Sequence, residues 1–373
     1  MLLSLVREVR KPVVTFSRNV ALSLSRLCRN ACTYCNFRRV EVLKADDAIV
    51  NSAGLWNKTA TIDQRPPERG LLLTPEEAIS IAREGARVGC KEALIISGER
   101  PEARYESYNN VLKRYGCKST VEYAASIARA ITQEVNILPH TNVGVLGQDE
   151  VFELKEVNAS LGLMIETSSF ATCLEGGPHR YSPGKLPCLR YRTLFFAGKA
   201  KVPFTTGILV GIGETWRDRL ESLFLIRDLH ERYGHIQEVI IQGVKGSPDL
   251  EPDASFSDIM ATVSLARLIL PNEVAVQTAP NLIEGRYGEA LNAGVDDWGG
   301  ISPISSDEVN PEYPWPDVKI LSEVTEKAGF RLRERLPVYP RLAREKEFVS
   351  SRIARIIESL GDDEGYARSY PFD

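Results

Sequence analysis

Three cysteines, Cys28, Cys32 and Cys35, stand within eight residues of one another in the spacing C-x3-C-x2-C. Thiolates so close on one irregular loop can occupy three corners of a metal centre. A closed structural zinc site needs four protein ligands, commonly two Cys-x2-Cys pairs, and no second pair is present, because Cys90, Cys117, Cys173 and Cys188 are scattered. Three ligands on one loop therefore point to a 4Fe-4S cluster whose fourth iron has no protein ligand and can bind something else. The bland alternative is chance proximity, or zinc shared with a distant histidine. Seven cysteines is an odd total, and a secreted disulfide framework favours an even count in a short chain, so the arithmetic points to a reducing compartment.

Such a loop needs a scaffold to deliver it. From Val20 onward, short β-branched or apolar runs alternate with stretches of helical period, the pattern of βα units with parallel strands. About eight units can be counted, which predicts an α/β fold of the TIM-barrel type. The expected strands are 21–25, 93–97, 136–140, 161–166, 204–210, 236–242, 273–277 and 296–302. The cysteines then fall in the loop after the first strand, at the end of a barrel where βα loops carry sites. Thr74, Pro75, Glu76 and Glu77 open a helix over 78–88 that Gly89 stops. Ser119 and Thr120 open 121–134, Glu214 and Thr215 precede 216–233, and Pro271 ends a helix near 261–270. Residues 43–70 are polar, with no sustained period, and read as a loop or lid. The barrel is expected to span 1–341, followed over 342–373 by a charged helix within 345–360 and a polar tail.

Composition narrows the partners. The 373 residues suit one barrel-sized domain or two smaller ones, and 46 basic against 50 acidic residues leave a net charge of −4. No general basic field exists to hold a nucleic-acid backbone, so nucleic acid is not an expected partner. No run of about 18 apolar residues occurs. Arg7, Glu8, Arg10 and Lys11 interrupt the N-terminal apolar stretch before a signal-peptide core can form. These features predict a soluble, cytoplasmic protein with no membrane partner.

The segment Cys28-Arg29-Asn30-Ala31-Cys32-Thr33-Tyr34-Cys35 resembles the cluster motif of radical S-adenosylmethionine (SAM) enzymes. The resemblance implies Cys28, Cys32 and Cys35 as ligands of a 4Fe-4S cluster, and SAM as a second cofactor on the unique iron. Ser97-Gly98-Glu99 looks like the superfamily's Gly-Gly-Glu segment, with Ser97 replacing the first glycine. Glu99 can accept from the SAM ammonium, and Gly98 lets backbone approach the ligand. Gly207, Gly211 and Glu214 match a G-x-I-x-G-x-x-E segment expected beside the adenine. Glu166 is a candidate for the SAM ribose or carboxylate, and Tyr34 for packing on the adenine or simply within its loop.

Longer strings narrow the family. Residues 28–38, 92–94 with 98–102, 139–144, 203–207, 235–242 and 296–303 are similar to subunit 1 of 7,8-didemethyl-8-hydroxy-5-deazariboflavin (FO) synthase. That resemblance implies a radical carbon–nitrogen lyase step of coenzyme F(420) biosynthesis. The substrate would be 5-amino-5-(4-hydroxybenzyl)-6-(D-ribitylimino)-5,6-dihydrouracil, made by subunit 2, and a reducing electron donor would be required. The length leaves room for one barrel, which predicts the single-activity subunit rather than a fused synthase. His140, Thr141 and Asn142 could contact the ribityl and uracil groups or relay a proton; His140 is equally readable as a packed core histidine. Gly177-Pro178-His179 and Ser182-Pro183-Gly184-Lys185 form a turn-rich loop that either caps or touches substrate, and Trp298 either packs or stacks. Residues 243–248 depart from the family's expected loop, leaving contacts at the sixth strand open. Two alternatives stand beside this reading: another ring-forming radical SAM synthase, and a zinc-stabilised barrel without catalysis.

Overall fold

Eight short runs become strands of one parallel ladder: β1 (Val13–Ser23), β2 (Glu92–Ile96), β3 (Leu138–Asn142), β4 (Ser160–Gly162), β5 (Phe204–Val210), β6 (Ile236–Gly243), β7 (Ala275–Gln277) and β8 (Asp297–Ile301). The computed structural model describes residues 2–9, 11–39, 70–246, 250 and 254–368. Each strand pairs with the next, and β1 pairs with both β2 and β8, so the sheet closes into a barrel. A ninth strand, β9 (Arg331–Glu334), runs parallel to the first residues of β1, from Val13 to Phe16.

The helices are α1 (Leu2–Glu8), α2 (Pro75–Arg87), α3 (Glu106–Arg114), α4 (Thr120–Glu134), α5 (Gln148–Lys155), α6 (Pro187–Lys199), α7 (Trp216–Tyr233), α8 (Phe256–Ile269), α9 (Tyr287–Ala293), α10 (Val318–Lys327), α11 (Pro340–Ala343) and α12 (Ser351–Leu360). Their starts carry the expected chemistry. Thr74 and Glu77 form a reciprocal capping box on α2, as do Thr215 with Asp218 on α7 and Ser255 with Asp258 on α8. Each such cap contributes about 0.5–2 kcal/mol by satisfying amide groups that would otherwise lack partners. Gly234 takes the left-handed conformation, φ 68°, that ends α7. Among the described residues, no helix is long and apolar enough to cross a membrane.

Several expected boundaries move. The third strand lies two residues later than 136–140, a shift that preserves which side chains face inward. The fourth is regular only from Ser160 to Gly162; beyond it the chain runs irregularly to a single bridge between Glu166 and Ile208. α12 starts at Ser351 because Ser350 caps it. The C-terminal segment is not a free appendage: Leu336, Val338, Leu342, Phe348 and Ile353 pack with Leu138 and Ala159 across the N-terminal ends of β3 and β4. The lid expected over 43–70 lies, apart from Gly70, outside the described residues, as does the tail beyond 368.

Candidate active site

The C-terminal ends of the strands surround a cavity of about 440 Å3, and Cys28, Cys32, Cys35, Tyr34, Gly98, Glu99, Glu166, His140 and Asn142 all line it. Gly207, Gly211 and Glu214 do not. The structure thus gathers nine of the candidate residues and sets three behind the wall.

The cysteine loop is held from both flanks. A Cβ at residue 98 would collide with the Leu27 carbonyl, so Gly98 serves the approach of the cysteine loop itself rather than of a ligand. The amide of Glu99 donates to Cys28 Sγ at 3.2 Å, and the amide of Arg29 donates to the Glu99 carbonyl at 2.9 Å. From the other side, Ser182 Oγ accepts from the Ala31 amide at 3.0 Å and from the Cys32 thiol at 3.3 Å. The Gly184 amide donates to Asn30 Oδ1 at 2.9 Å, and the Thr33 amide to the Pro178 carbonyl at 3.1 Å. The turn-rich loop over 177–185 therefore caps the cysteines, with Lys185 alone of the residues singled out there reaching the cavity.

Burial pushes the Cys28 thiol up to about 11 and raises Cys32 as well, with Lys185 partly opposing the shift at Cys32. Buried thiols ionise only when a cation compensates them, so ligation here must expel protons. Among the described residues, no group of three His, Cys, Asp or Glu side chains is placed to hold a metal ion. The donor set suits a cluster better than one ion: three sulfurs open on one cavity, and two of them already receive or make polar contacts of the kind that tune cluster thiolates.

Two buried carboxylates line the same cavity as these sulfurs. Glu99 Oε1 accepts from Arg29 Nε at 2.9 Å and Nη2 at 2.7 Å, Arg190 stands 3.7 Å from its Oε2, and the Val145 amide donates to it at 3.3 Å. Gly144 and Gly184 leave the room its carboxylate fills. Glu166 sits on left-handed backbone, φ 65°, and pairs with Lys185 and, at 3.2 Å, with Arg190. Its burial would raise the carboxyl, but Lys185 and Arg190 outweigh that and hold it below the usual range. Arg190 also donates to the Met164 and Gly184 carbonyls, so one guanidinium ties the irregular end of β4 to the capping loop. Tyr34 donates its hydroxyl toward His179 Nε2, 2.8 Å away, and the two rings meet edge to face at 5.5 Å.

The G-x-I-x-G-x-x-E segment is held by its own polar contacts. Glu214 accepts from the amides of Gly211, at 3.1 Å, and Ile212, at 2.8 Å, and pairs with Arg219 at 2.7 Å. Gly211 and Gly213 adopt φ of 99° and 86°, which only glycine takes without strain. The segment locks the turn after β5, while Leu209 presents the cavity wall. Gly207 leaves space for Ile240 and the Met164 sulfur. Thr141 points away and hydrogen bonds to Asn158 at 2.7 Å, and Trp298 is fully buried against Tyr287, donating to Thr325. Both are packing residues.

Deeper in, the barrel floor is ionic. Arg335 reaches Asp297 at 2.6 Å and Glu238 at 3.0 Å, while Tyr339 donates to Asp297 at 2.6 Å and Ser17 to Glu92 at 2.6 Å. Burial drives Glu238 up to about 8; Arg335 opposes the rise and Asp297 adds to it. A folded carboxyl above its unfolded value binds protons more tightly in the native state, so its contribution to stability is full in acid and is lost as pH rises toward about 8. Glu238→Gln is accordingly expected to flatten the fall in melting temperature between pH 5 and about 8; an unchanged slope would exclude Glu238 as its source. His140 is pushed down to about 3 by burial and by Arg335, and so is neutral at physiological pH. Its Nδ1 lies 2.7 Å from Ser160 Oγ, whose own proton goes to the Pro337 carbonyl at 2.6 Å. Nδ1 must then carry the ring proton, leaving Nε2 as an acceptor toward the cavity.

Arg190, Asn19, Glu92, Glu238, Gln277 and Arg335 also line the cavity and were not anticipated. Charges at Glu92 and Glu238 inside otherwise apolar runs were an available signal. Arg335 lacked one.

The radical SAM superfamily model matches residues 22–226. The chain is 45% identical over 361 residues to "7,8-didemethyl-8-hydroxy-5-deazariboflavin synthase" of Methanopyrus kandleri, covering 95% of this chain and 100% of that one. It is 41% identical over 360 residues to the enzyme of the same name from Methanosarcina barkeri, covering 95% and 99%. Against the "FO synthase" of Streptomyces avermitilis identity is 41% over 359 residues, 95% of this chain but 39% of that longer protein. Among solved structures, methylornithine synthase superimposes with a TM-score of 0.62 at 17% identity, covering 89% of this chain and 88% of that one. The FeFe-hydrogenase maturase HydG from Carboxydothermus hydrogenoformans gives 0.63 at 19%, covering 93% and 73%. These two likenesses concern the barrel fold alone.

Proposed function

We propose, for a chain that belongs to the radical SAM superfamily and to its 7,8-didemethyl-8-hydroxy-5-deazariboflavin (FO) synthase family, that the cavity forms FO from 5-amino-5-(4-hydroxybenzyl)-6-(D-ribitylimino)-5,6-dihydrouracil with loss of ammonia. The observation that carries the reading is the match to the Methanopyrus protein across the whole of that relative. The cysteine loop at the barrel mouth supports it.

Members of this superfamily use SAM and a 4Fe-4S cluster. Cys28, Cys32 and Cys35 would hold the cluster, and Tyr34, Glu99 and Glu166, with Gly98 shaping the loop beside them, would border SAM. When bound, the pair supplies a 5′-deoxyadenosyl radical that takes a hydrogen atom from the substrate and leaves methionine and 5′-deoxyadenosine. The protein's own part is positioning and exclusion. The 177–185 loop shields the cysteine loop, and the apolar wall of Leu94, Ile96, Met164 and Leu209 keeps water from a reactive centre. Arg29 already occupies Glu99, so an ammonium group arriving there shares or displaces that guanidinium. The neutral His140 Nε2 and the Asn142 amide offer an acceptor and a mixed donor and acceptor to the substrate. The net change is a carbon–nitrogen lyase step with aromatisation to the deazaflavin, the two electrons that the substrate loses being those gained when SAM becomes methionine and 5′-deoxyadenosine. A second enzyme must supply the substrate, a reducing donor must supply electrons, and the setting is the cytoplasm.

The test is anaerobic reconstitution followed by turnover. About four irons and four sulfides per chain are expected, and SAM, a reductant and the dihydrouracil substrate should yield 5′-deoxyadenosine together with the fluorescence of FO. Deoxyadenosine without FO would assign the protein to another ring-forming radical reaction. A colourless protein holding one zinc would overturn the reading altogether.

A further inference from the structure

Parallel barrels are ordinarily filled by layers of branched aliphatic side chains. The middle of this one is not. Asn19 from β1, His140 from β3 and Gln277 from β7 project inward, each at least nine-tenths buried. Among the described residues, the side-chain amides of Asn19 and Gln277 have no hydrogen-bond partner, and His140 Nε2 is a bare acceptor. These atoms are not sealed in the wall but open on the cavity, so a ligand there can take up their hydrogen bonds in place of water.

The wall is cut back where each polar head sits. A Cβ at Gly300 would collide with the Asn19 amide, and one at Gly299 with the Gln277 amide. A Cβ at Gly162 would stand 2.7 Å from His140 Nε2. A glycine thus stands against each of the three polar heads. Below them lie Glu92, Glu238, Asp297 and Arg335, three carboxyl groups against one guanidinium. That surrounding disfavours an anionic ligand.

A group that both donates and accepts at each contact is a hydroxyl, and a chain of hydroxyls suits a wall of mixed donors and acceptors. We propose that Asn19, Gln277 and His140 form a polyol subsite beneath the reacting centre, holding the ribityl chain of the substrate so that its rings stay at the cysteine end of the cavity. The proposal rests on the FO synthase reading for the presence of that chain. The ribityl group takes no part in ring closure, so it is the portion free to occupy the floor while the hydroxybenzyl and pyrimidine groups meet the radical source.

Binding of two fluorescent deazaflavins to the anaerobically reconstituted protein tests this without turnover. One is FO; the other is its analogue bearing a methyl group in place of the ribityl chain. Wild-type protein is expected to bind FO at least about tenfold more tightly, the equivalent of one to three hydrogen bonds. Gln277→Met and Asn19→Leu should each weaken FO by about tenfold while leaving the methyl analogue unchanged. The analogue therefore doubles as the control for folding. Equal affinity of the wild type for the two compounds, or equal weakening of both by the variants, would overturn the subsite while leaving the activity intact. Absence of FO formation and of FO binding together would instead remove the functional reading, and the subsite with it.

Discussion

Anaerobically reconstituted Cys32→Ser protein is expected to retain little iron, to lose the broad visible absorption of an iron–sulfur centre, and to cleave SAM at least about 10³-fold more slowly than wild type, a barrier increase of roughly 4 kcal/mol or more. The substitution keeps the side chain's size but replaces a soft sulfur with a hard, weakly acidic hydroxyl. Cys32 is the most enclosed of the three, with Ser182 on its sulfur and Lys185 supplying the positive field that favours ionisation. Of the more distant thiols, Cys90 is committed to the Asn19 carbonyl and Cys188 is exposed on α6. Cys188→Ser serves as the matched control and should behave as wild type. Full iron content and undiminished cleavage in Cys32→Ser would refute the ligand assignment.

Arg335→Met should have the largest effect on folding. The guanidinium is buried and offsets Asp297, whose carboxylate would otherwise lie uncompensated in the barrel, and it also contacts Glu238 at 3.0 Å. Removing one partner of such a group costs about 3–5 kcal/mol, whereas removing both costs far less. Urea unfolding should therefore show a large loss in Arg335→Met and partial recovery in the double variant Arg335→Met with Asp297→Asn. Asp297 is held low by Arg335 against its own burial, and in the variant its carboxyl rises. A group that rises in the folded state loses stability as pH increases, so the deficit should be smallest in acid and grow toward neutrality. An unchanged unfolding midpoint, or a double variant no better than the single, would show that the floor is not charge-coupled.

The parts legible in the sequence were those governed by local chemistry. The fifth strand coincides with its expected bounds because 204–210 carries no charge and is buried on both faces, and α7 does so because Thr215, Asp218 and Gly234 mark both ends. The cysteine loop was readable because ligand spacing is itself local. β9 was hidden because it is only four residues long, with Leu332 its one apolar member among Arg331, Arg333 and Glu334, and it is paired in a ladder with β1. Glu214 was assigned to the adenine on motif alone; its actual partners are amides two and three residues away and Arg219 on the next helix. Arg190 and Arg335 gain meaning only when distant segments converge, and Asn19 and Gln277 only when the barrel closes around them.

The same closure sets an order of assembly. β1 emerges first among the strands yet must accept β2 and β8, and its first residues also accept β9 more than 300 positions later. The guanidinium that neutralises Asp297 and contacts Glu238 arrives just after β9. A nascent chain leaving the ribosome can therefore stack its βα units early but carries an unneutralised acidic centre until residue 335 has cleared the exit tunnel. Contacts of such long sequence separation form late. The final closing of the barrel thereby becomes a checkpoint of synthesis, and polypeptides released before that residue should be selectively handed to chaperones and proteases.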